Sequence, residues 1–355
     1  MKNKVFSIIS LLICLSILIS CAENPPADTK KPVTETAAQT LDTLPESFAA
    51  DTSATGTEGP ATAPQTEKAT EPPTTEAPAN PYGIFTYNPR VNVNVSSPYC
   101  ILINAKTNEI LYTNCDVNEK IYPASTTKLL TAIIALKYGD PKAVFTPGDE
   151  LSLLAADSSR AYIKSQHSLT LEMLIEGMML PSGGDAAYVV AAGVGRIIAK
   201  NESLTGVEAV AVFVDEMNKY AKEHNLTGSH FTCPDGYHDD DHYTTLLDIM
   251  TISRYALDEP IIMKYAGTYR DDVRYASGHK NTWTNTNQLL DSDSPYFYEN
   301  AIGLKTGTTD EGGYCLVSAA ALGTKEVLAG VFAAPRSSTR FNDSRALLVA
   351  GMIAS

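Results

Sequence analysis

Ser125-Thr126-Thr127-Lys128 sets a hydroxyl and an amine three residues apart. On a helix that spacing brings both side chains to one face, about one turn from each other. The amine can then take the serine proton, provided burial or a neighbouring cation lowers its own pKa, and the serine becomes a nucleophile. Read alone, the tetrapeptide is a weak signal. Ser277-Gly278-His279-Lys280 has the same spelling, and roughly one or two such matches arise by chance in a chain this long. Ser125 by itself also reads as a helix N-cap.

Lys305-Thr306-Gly307 occurs once, inside Gly303-Leu304-Lys305-Thr306-Gly307-Thr308-Thr309. A strand that presents a lysine charge and a threonine hydroxyl suits a carboxylate, and the glycine lets a substrate backbone lie close. Its plainer reading is a strand ending in a turn. Between these clusters, Pro181-Ser182-Gly183-Gly184-Asp185 is a small turn that starts a helix and can aim the Ser182 hydroxyl into a cleft. A helix-initiating loop capped by Asp185 explains it equally well.

The elements that must hold these groups follow from apolar spacing. Residues 99–104 and 109–113 are strand-like and separated by Ala-Lys-Thr-Asn, a hairpin by turn chemistry. Residues 125–138 carry Leu129, Leu130, Ile133, Ile134 and Leu136 at helical spacing, with Ser125 placed to begin the helix. Residues 171–180 and 185–199 predict two more helices, and 313–321 with 326–334 a second hairpin around residues 322–325. Strands at both ends with helices between them predict an α+β architecture, an antiparallel sheet backed by a mostly helical lobe.

Composition bounds the rest. Hydrophobic residues make up 44% of 355, enough for a sizeable core. Lys plus Arg number 27 against 41 Asp plus Glu, a formal charge of −14, which argues against nucleic-acid binding by counterion release. Six cysteines are too few for a disulfide-dense scaffold of this length.

At the N-terminus, Lys2 and Lys4 precede a charge-free run from Val5 to Ile19. The run is shorter than the roughly 20 residues that span a bilayer, and it fits a signal peptide. It ends Leu18-Ile19-Ser20-Cys21, which resembles a bacterial lipobox and implies cleavage before Cys21 and diacylation of that cysteine. Two acyl chains give stable anchoring. An ordinary secretory signal with a chance cysteine is the other reading. Of the 59 residues at 22–80, 13 are Thr, 12 Ala, 9 Pro and 7 Glu, and the segment carries half of the chain's net charge. Such a polymer cannot bury enough surface to offset its ordering entropy. It would span about 40–45 Å as a flexible coil and up to roughly 180 Å as polyproline II. The organisation predicted is a lipoprotein signal at 1–20, a Thr/Pro/Ala/Glu-rich tether at 21–84 and one catalytic domain at 85–355.

Taken in order, Ser125-x-x-Lys128, the turn at Ser182 and Lys305-Thr306-Gly307 resemble the active site of the penicillin-binding proteins and serine β-lactamases. Wider blocks narrow the resemblance to the low-molecular-mass serine D-alanyl-D-alanine carboxypeptidases. They are the stretch from Tyr122 to Ala132, Ser182-Gly183-Gly184-Asp185-Ala186-Ala187, Cys233-Pro234-Asp235-Gly236, His242-Tyr243-Thr244-Thr245, and Gly303 through Val317. The likeness covers essentially residues 95–350. It implies a β-lactamase/transpeptidase-like fold and a penicillin-binding hydrolase of peptidoglycan biosynthesis and cell shape. It implies no metal or organic cofactor, a peptidoglycan stem peptide as substrate, β-lactam antibiotics as acylating inhibitors, and an extracytoplasmic site on the membrane.

The same resemblance implies the roles. Ser125 would be the nucleophile, Lys128 the general base, and Ser182 a relay of the proton toward the leaving amine. Lys305 would lower the Lys128 pKa and attract the substrate carboxylate, which Thr306 would hydrogen-bond. The backbone N–H groups of Ser125 and Thr308 would form the oxyanion hole, each donor worth about 10²–10³ in rate. Arg340 matches an arginine near the carboxylate pocket. One departure stands out: Gly184 sits where the family carries Asn, which predicts reduced but not absent turnover. The chain runs 15 residues past Arg340, so an N-terminal lipid would replace the C-terminal anchoring helix of many relatives.

Three rival readings remain at this level. A zinc peptidase draws on His230, Cys233, His238, Asp241 and His242, although there is no H-E-x-x-H and no spacing fixes a tetrahedral set. A serine β-lactamase would need a glutamate that activates the deacylating water. A non-catalytic peptidoglycan-binding relative is suggested by Gly184. Among the cysteines, Cys100 and Cys115 flank the first hairpin and are close enough in sequence to pair, while Cys315 reads as a packed thiol.

Overall fold

Strand β2 (Tyr99–Asn104) reads Tyr-Cys-Ile-Leu-Ile-Asn, an unbroken apolar run that suits a strand covered on both faces. That is where it lies in the computed structural model, which describes Asn80 and residues 83–355. The signal segment, Cys21 and nearly all of the tether fall outside the described residues.

β2 occupies the middle of a six-stranded sheet with β1 (Thr86–Tyr87), β3 (Glu109–Thr113), β4 (Ala301–Thr309), β5 (Gly313–Leu322) and β6 (Lys325–Ala334). The order is β1-β3-β2-β6-β5-β4. Both predicted hairpins form, and β6 pairs with β2 to join the two ends of the chain. The sheet is mixed rather than purely antiparallel, because the short β1 pairs with β3 in parallel. In the first hairpin, Asn104 Oδ1 accepts the N–H groups of Lys106 and Thr107 at 3.0 and 3.1 Å, the side-chain-to-backbone turn that asparagine favours.

Alternation along the strands gives each face its own core. Cys100 and Leu102 of β2, with Val327, Ala329 and Val331 of β6, face α7 (Ser337–Ala354) through its Phe341, Leu347, Leu348 and Met352. Ile101 and Ile103, with Leu328 and Phe332, face the helical lobe. That lobe holds α1 (Lys128–Tyr138), α2 (Leu171–Met179), α3 (Gly184–Ala199), α4 (Gly206–Glu223), α5 (Leu246–Ala256) and α6 (Pro260–Ala266). α1 is buried from Lys128 through Ala135, its two polar side chains there, Lys128 and Thr131, being hydrogen-bonded to the carbonyls of Asp235 and Pro234. The architecture is the α+β arrangement expected, and the functional cleft opens where the edge strand β4 meets the N-terminal end of α1.

Candidate active site

Ser125 lies in a 3₁₀ turn over Ala124–Thr127, and α1 begins only at Lys128. The helix predicted over 125–138 is therefore split at its first turn. Ser125 does not act as a cap, since neither the turn nor α1 has a side-chain cap hydrogen bond. The hydroxyl instead meets the lysine one turn on, with Lys128 Nζ 2.8 Å from Ser125 Oγ. The second Ser-x-x-Lys spelling falls elsewhere: Gly278 has φ +86° in the turn between 270–274 and 280–284, and the Ser277 hydroxyl accepts the Ser168 N–H.

The turn that carries Ser125 is fixed from three sides. Pro234 and Asp235 present their carbonyls to α1, accepting from Thr131 Oγ1 and from Lys128 Nζ, each at 2.6 Å. His242 bonds the Thr127 hydroxyl at 2.9 Å. On the third side β4 passes so close that a Cβ on Gly307 would lie 2.9 Å from Ala124 Cβ and 3.0 Å from the Ser125 nitrogen. The glycine of Lys305-Thr306-Gly307 thus admits the catalytic turn itself, a reason beyond the substrate approach inferred from sequence.

A cleft of ≈ 500 Å³ opens over Ser125 and is walled by Ser182, Asp235, Thr306, Thr308 and Arg340 among others. Ser182 sits in the left-handed region at φ +61°, a costly conformation for a non-glycine residue. It is held there because its carbonyl accepts from Ser159 Oγ at 2.7 Å, while Gly183 and Gly184 donate to Gly177 and Ser159. Its hydroxyl makes no hydrogen bond among the described residues. Asp185 does not cap this loop; its carboxylate accepts the N–H groups of Ala161, Ile163 and Ala186 at 2.8–2.9 Å, pinning the 161–163 segment beside the cleft.

Burial, not neighbouring charge, lowers the pKa of the amine beside Ser125. Lys128 is 1% exposed, and burial holds its pKa below the usual 10.5 against the opposing charge of Asp235. Lys305, also 1% exposed, is held well below 10.5 by burial first and then by repulsion from Lys128 and Arg340. It donates to the Thr306 carbonyl at 3.0 Å and lies behind the residues that wall the cleft. The cation that faces the opening is Arg340. Its Nη1 donates to the Gly307 carbonyl at 2.9 Å and to Thr308 Oγ1 at 3.1 Å, and its guanidinium stacks over Phe341. Burial lowers its pKa to about 10, which leaves it charged at neutral pH.

The histidines of the 230–242 segment have separate partners. His230 Nδ1 contacts the Asp241 carbonyl, His238 packs edge-on to Tyr122, and His242 is buried against Thr127. No group of three potential ligands among the described residues is arranged around a metal ion. Cys233 is a half-buried thiol whose pKa desolvation raises to about 12. Cys100, Cys115, Cys233 and Cys315 are all free thiols, so the Cys100–Cys115 pair does not form in this structure. Cys315 packs as expected, buried and donating to the Gly312 carbonyl at 3.3 Å.

Sequence reasoning missed two groups. Thr286, from an irregular segment, bonds the Thr306 hydroxyl in the cleft wall. The 157–159 segment and Tyr237 form the opposite wall, with Tyr237 donating to Asp157 at 3.0 Å. No periodicity marks either stretch.

Similarity to known proteins agrees with this geometry. The D-alanyl-D-alanine carboxypeptidase family, peptidase S11, matches residues 86–336. The chain is 31% identical over 238 residues to D-alanyl-D-alanine carboxypeptidase DacF of Bacillus subtilis, covering 66% of this chain and 56% of that one. It is 31% identical over 258 residues to the D-alanyl-D-alanine carboxypeptidase of a Streptomyces strain, covering 69% and 84%. The crystal structure of the Streptomyces K15 DD-transpeptidase superposes with a TM-score of 0.66 at 30% identity, covering 73% of this chain and 98% of that one. Penicillin-binding protein D2 of Listeria monocytogenes, solved in an ampicillin-bound form, shares the fold with a TM-score of 0.59 at 24% identity. The fold is that of the DD-peptidase class. Within it, the chain belongs to the D-alanyl-D-alanine carboxypeptidase family, although it spans only about half the length of the Bacillus relative.

Proposed function

We propose that the protein is a serine-type D-Ala-D-Ala carboxypeptidase, removing the terminal D-alanine from peptidoglycan stem peptides. The observation that carries this reading is the buried Lys128 amine, 2.8 Å from Ser125 Oγ and with its pKa below 10.5. One N–H of the amine is committed to the Asp235 carbonyl, which leaves the nitrogen lone pair for the serine proton. Ser125 Oγ then bonds to the carbonyl carbon of the penultimate D-alanine, and that carbonyl's π electrons move to its oxygen. The backbone N–H groups of Ser125 and Thr308 stabilise the oxyanion. As the C–N bond breaks, the proton passes from Lys128 by way of the Ser182 hydroxyl to the departing amine. Water repeats the sequence on the ester and frees Ser125.

Arg340, Thr306 and Thr308 receive the terminal carboxylate; Lys305 does not serve as the cation expected to lower the Lys128 pKa, because burial and repulsion from Lys128 and Arg340 disfavour its own charge. β-Lactams acylate the same serine. In this reading residues 1–20 are a lipoprotein signal, Cys21 carries the lipid, 21–84 is a tether and 85–355 the catalytic domain, working outside the cytoplasmic membrane. The charge-free run ending at Cys21 supports this.

Release of D-alanine from a peptide ending in D-Ala-D-Ala tests the activity. Wild type should release it and Ser125→Ala should not; release by both, or by neither, contradicts the proposal.

A further inference from the structure

The place beside Gly184 is filled by the side chain of Asp235. A Cβ on Gly184 would lie 2.7 Å from Asp235 Oδ2, 2.8 Å from Leu154 Cδ1 and 3.3 Å from the Ser159 carbonyl oxygen. Real Cβ atoms do not approach an oxygen so closely, so a side chain at 184 would require the Asp235 carboxylate and the end of Leu154 to shift from the places they now fill. Asp235 is 3% exposed yet lines the cleft. Its Oδ1 accepts the Tyr237 N–H at 3.2 Å, its Oδ2 the Ser158 hydroxyl at 3.4 Å, and its carbonyl the Lys128 amine at 2.6 Å. One residue therefore touches the general base and also fills the space into which a side chain at 184 would project.

The geometry points to Asp235 as a positioning residue that takes the place of the side chain Gly184 lacks, orienting Lys128 through its carbonyl and presenting its carboxylate to the bound peptide. This inference rests on the acyl-enzyme reading above. It changes the chemistry at that point of the cleft. An asparagine amide offers a donor and an acceptor, whereas a carboxylate only accepts, so the site reads a substrate N–H there rather than a carbonyl.

Asp235 also acts on the base through its charge. The charged and titratable groups around Lys128 are Asp235, Cys233 and Asp185, with Lys305 feeling its charge in turn. Asp185 already serves three backbone N–H groups. Cys233 is a thiol at neutral pH. Asp235 is the first of these opposing charges, and it favours the ammonium that Lys128 becomes as Ser125 loses its proton.

The test is the pH profile of acylation by a fluorescent penicillin, measured on the full chain with Asp235→Asn, Asp235→Ala, Gly184→Asn and the double variant Gly184→Asn/Asp235→Ala. Asp235→Asn keeps the shape and removes the charge. The midpoint of the rising limb should move about one unit to lower pH, within the range an opposing charge gives. A purely structural role would lower the plateau and leave the midpoint in place. Gly184→Asn alone should slow acylation, and Asp235→Ala should relieve part of that loss, a coupling only neighbours show. An unmoved midpoint, or effects that simply multiply, overturns the inference while wild-type labelling at Ser125 still upholds the function. A wild type that takes no label overturns both. Should Gly184→Asn fail to fold, the Asp235→Asn midpoint decides alone.

Discussion

His242 bonds Thr127, one of the two residues between Ser125 and Lys128, at 2.9 Å through its ring Nε2. Because the Thr232 N–H donates to Nδ1 at 3.1 Å, the ring proton sits on Nε2 and points at the threonine hydroxyl. A histidine placed amid acids and a cysteine thus works as a brace for the catalytic turn.

Burial lowers the His242 pKa from 6.5 to about 4. Between those values the unfolded chain binds a proton that the folded one refuses, so stability is full above 6.5 and is lost as pH falls toward 4. The loss is about 3 kcal/mol at 1.36 kcal/mol per unit. Melting temperature followed from pH 7 to 4 should fall more steeply in wild type than in His242→Gln. Parallel curves would remove His242 from the account.

Lys128→Ala should cut penicillin acylation by about 10²–10⁴, the usual worth of a general base. Lys128→Arg should be as slow, because guanidinium does not give up its proton. In wild type the rate should climb with pH through a midpoint below 10.5, since only the neutral amine accepts the serine proton. An arginine variant with wild-type rate would assign the base elsewhere.

Arg340 is the cation on the cleft wall, and Gly307 and Thr308 fix its aim. Wild type should therefore prefer a peptide with a free C-terminal carboxylate over its amide. Arg340→Gln should lose about ten- to a hundredfold in kcat/KM on the free acid, the worth of one hydrogen bond to a charged group, and little on the amide. Equal losses on both substrates would mean that the arginine only holds β4.

Much of this was legible before any coordinates. The hairpins at 99–113 and 313–334, and the helices opening near 171 and 185, carry their own periodicity or turn chemistry. The fold that joins them came from a resemblance spread over five blocks. α4 went unread even though Thr205 and Glu208 spell a capping box, which forms. What stayed hidden depends on contacts distant in sequence. Asp235 reaches Lys128 over 107 residues and Thr286 reaches Thr306 over 20, both from irregular stretches that have no period to read. Lys305 shows the same limit: its position in β4 was foreseen, but not its withdrawal behind the cleft wall. The departure at Gly184 was visible as a missing side chain; only packing shows what stands in its place.

Incubation of the purified protein with a penicillin, followed by intact-mass measurement and peptide mapping, reaches the central claim most directly. One antibiotic mass should be added, on the peptide holding Ser125, and the adduct should be absent from Ser125→Ala. An unchanged mass, or a label on another residue, would contradict a serine made reactive by Lys128.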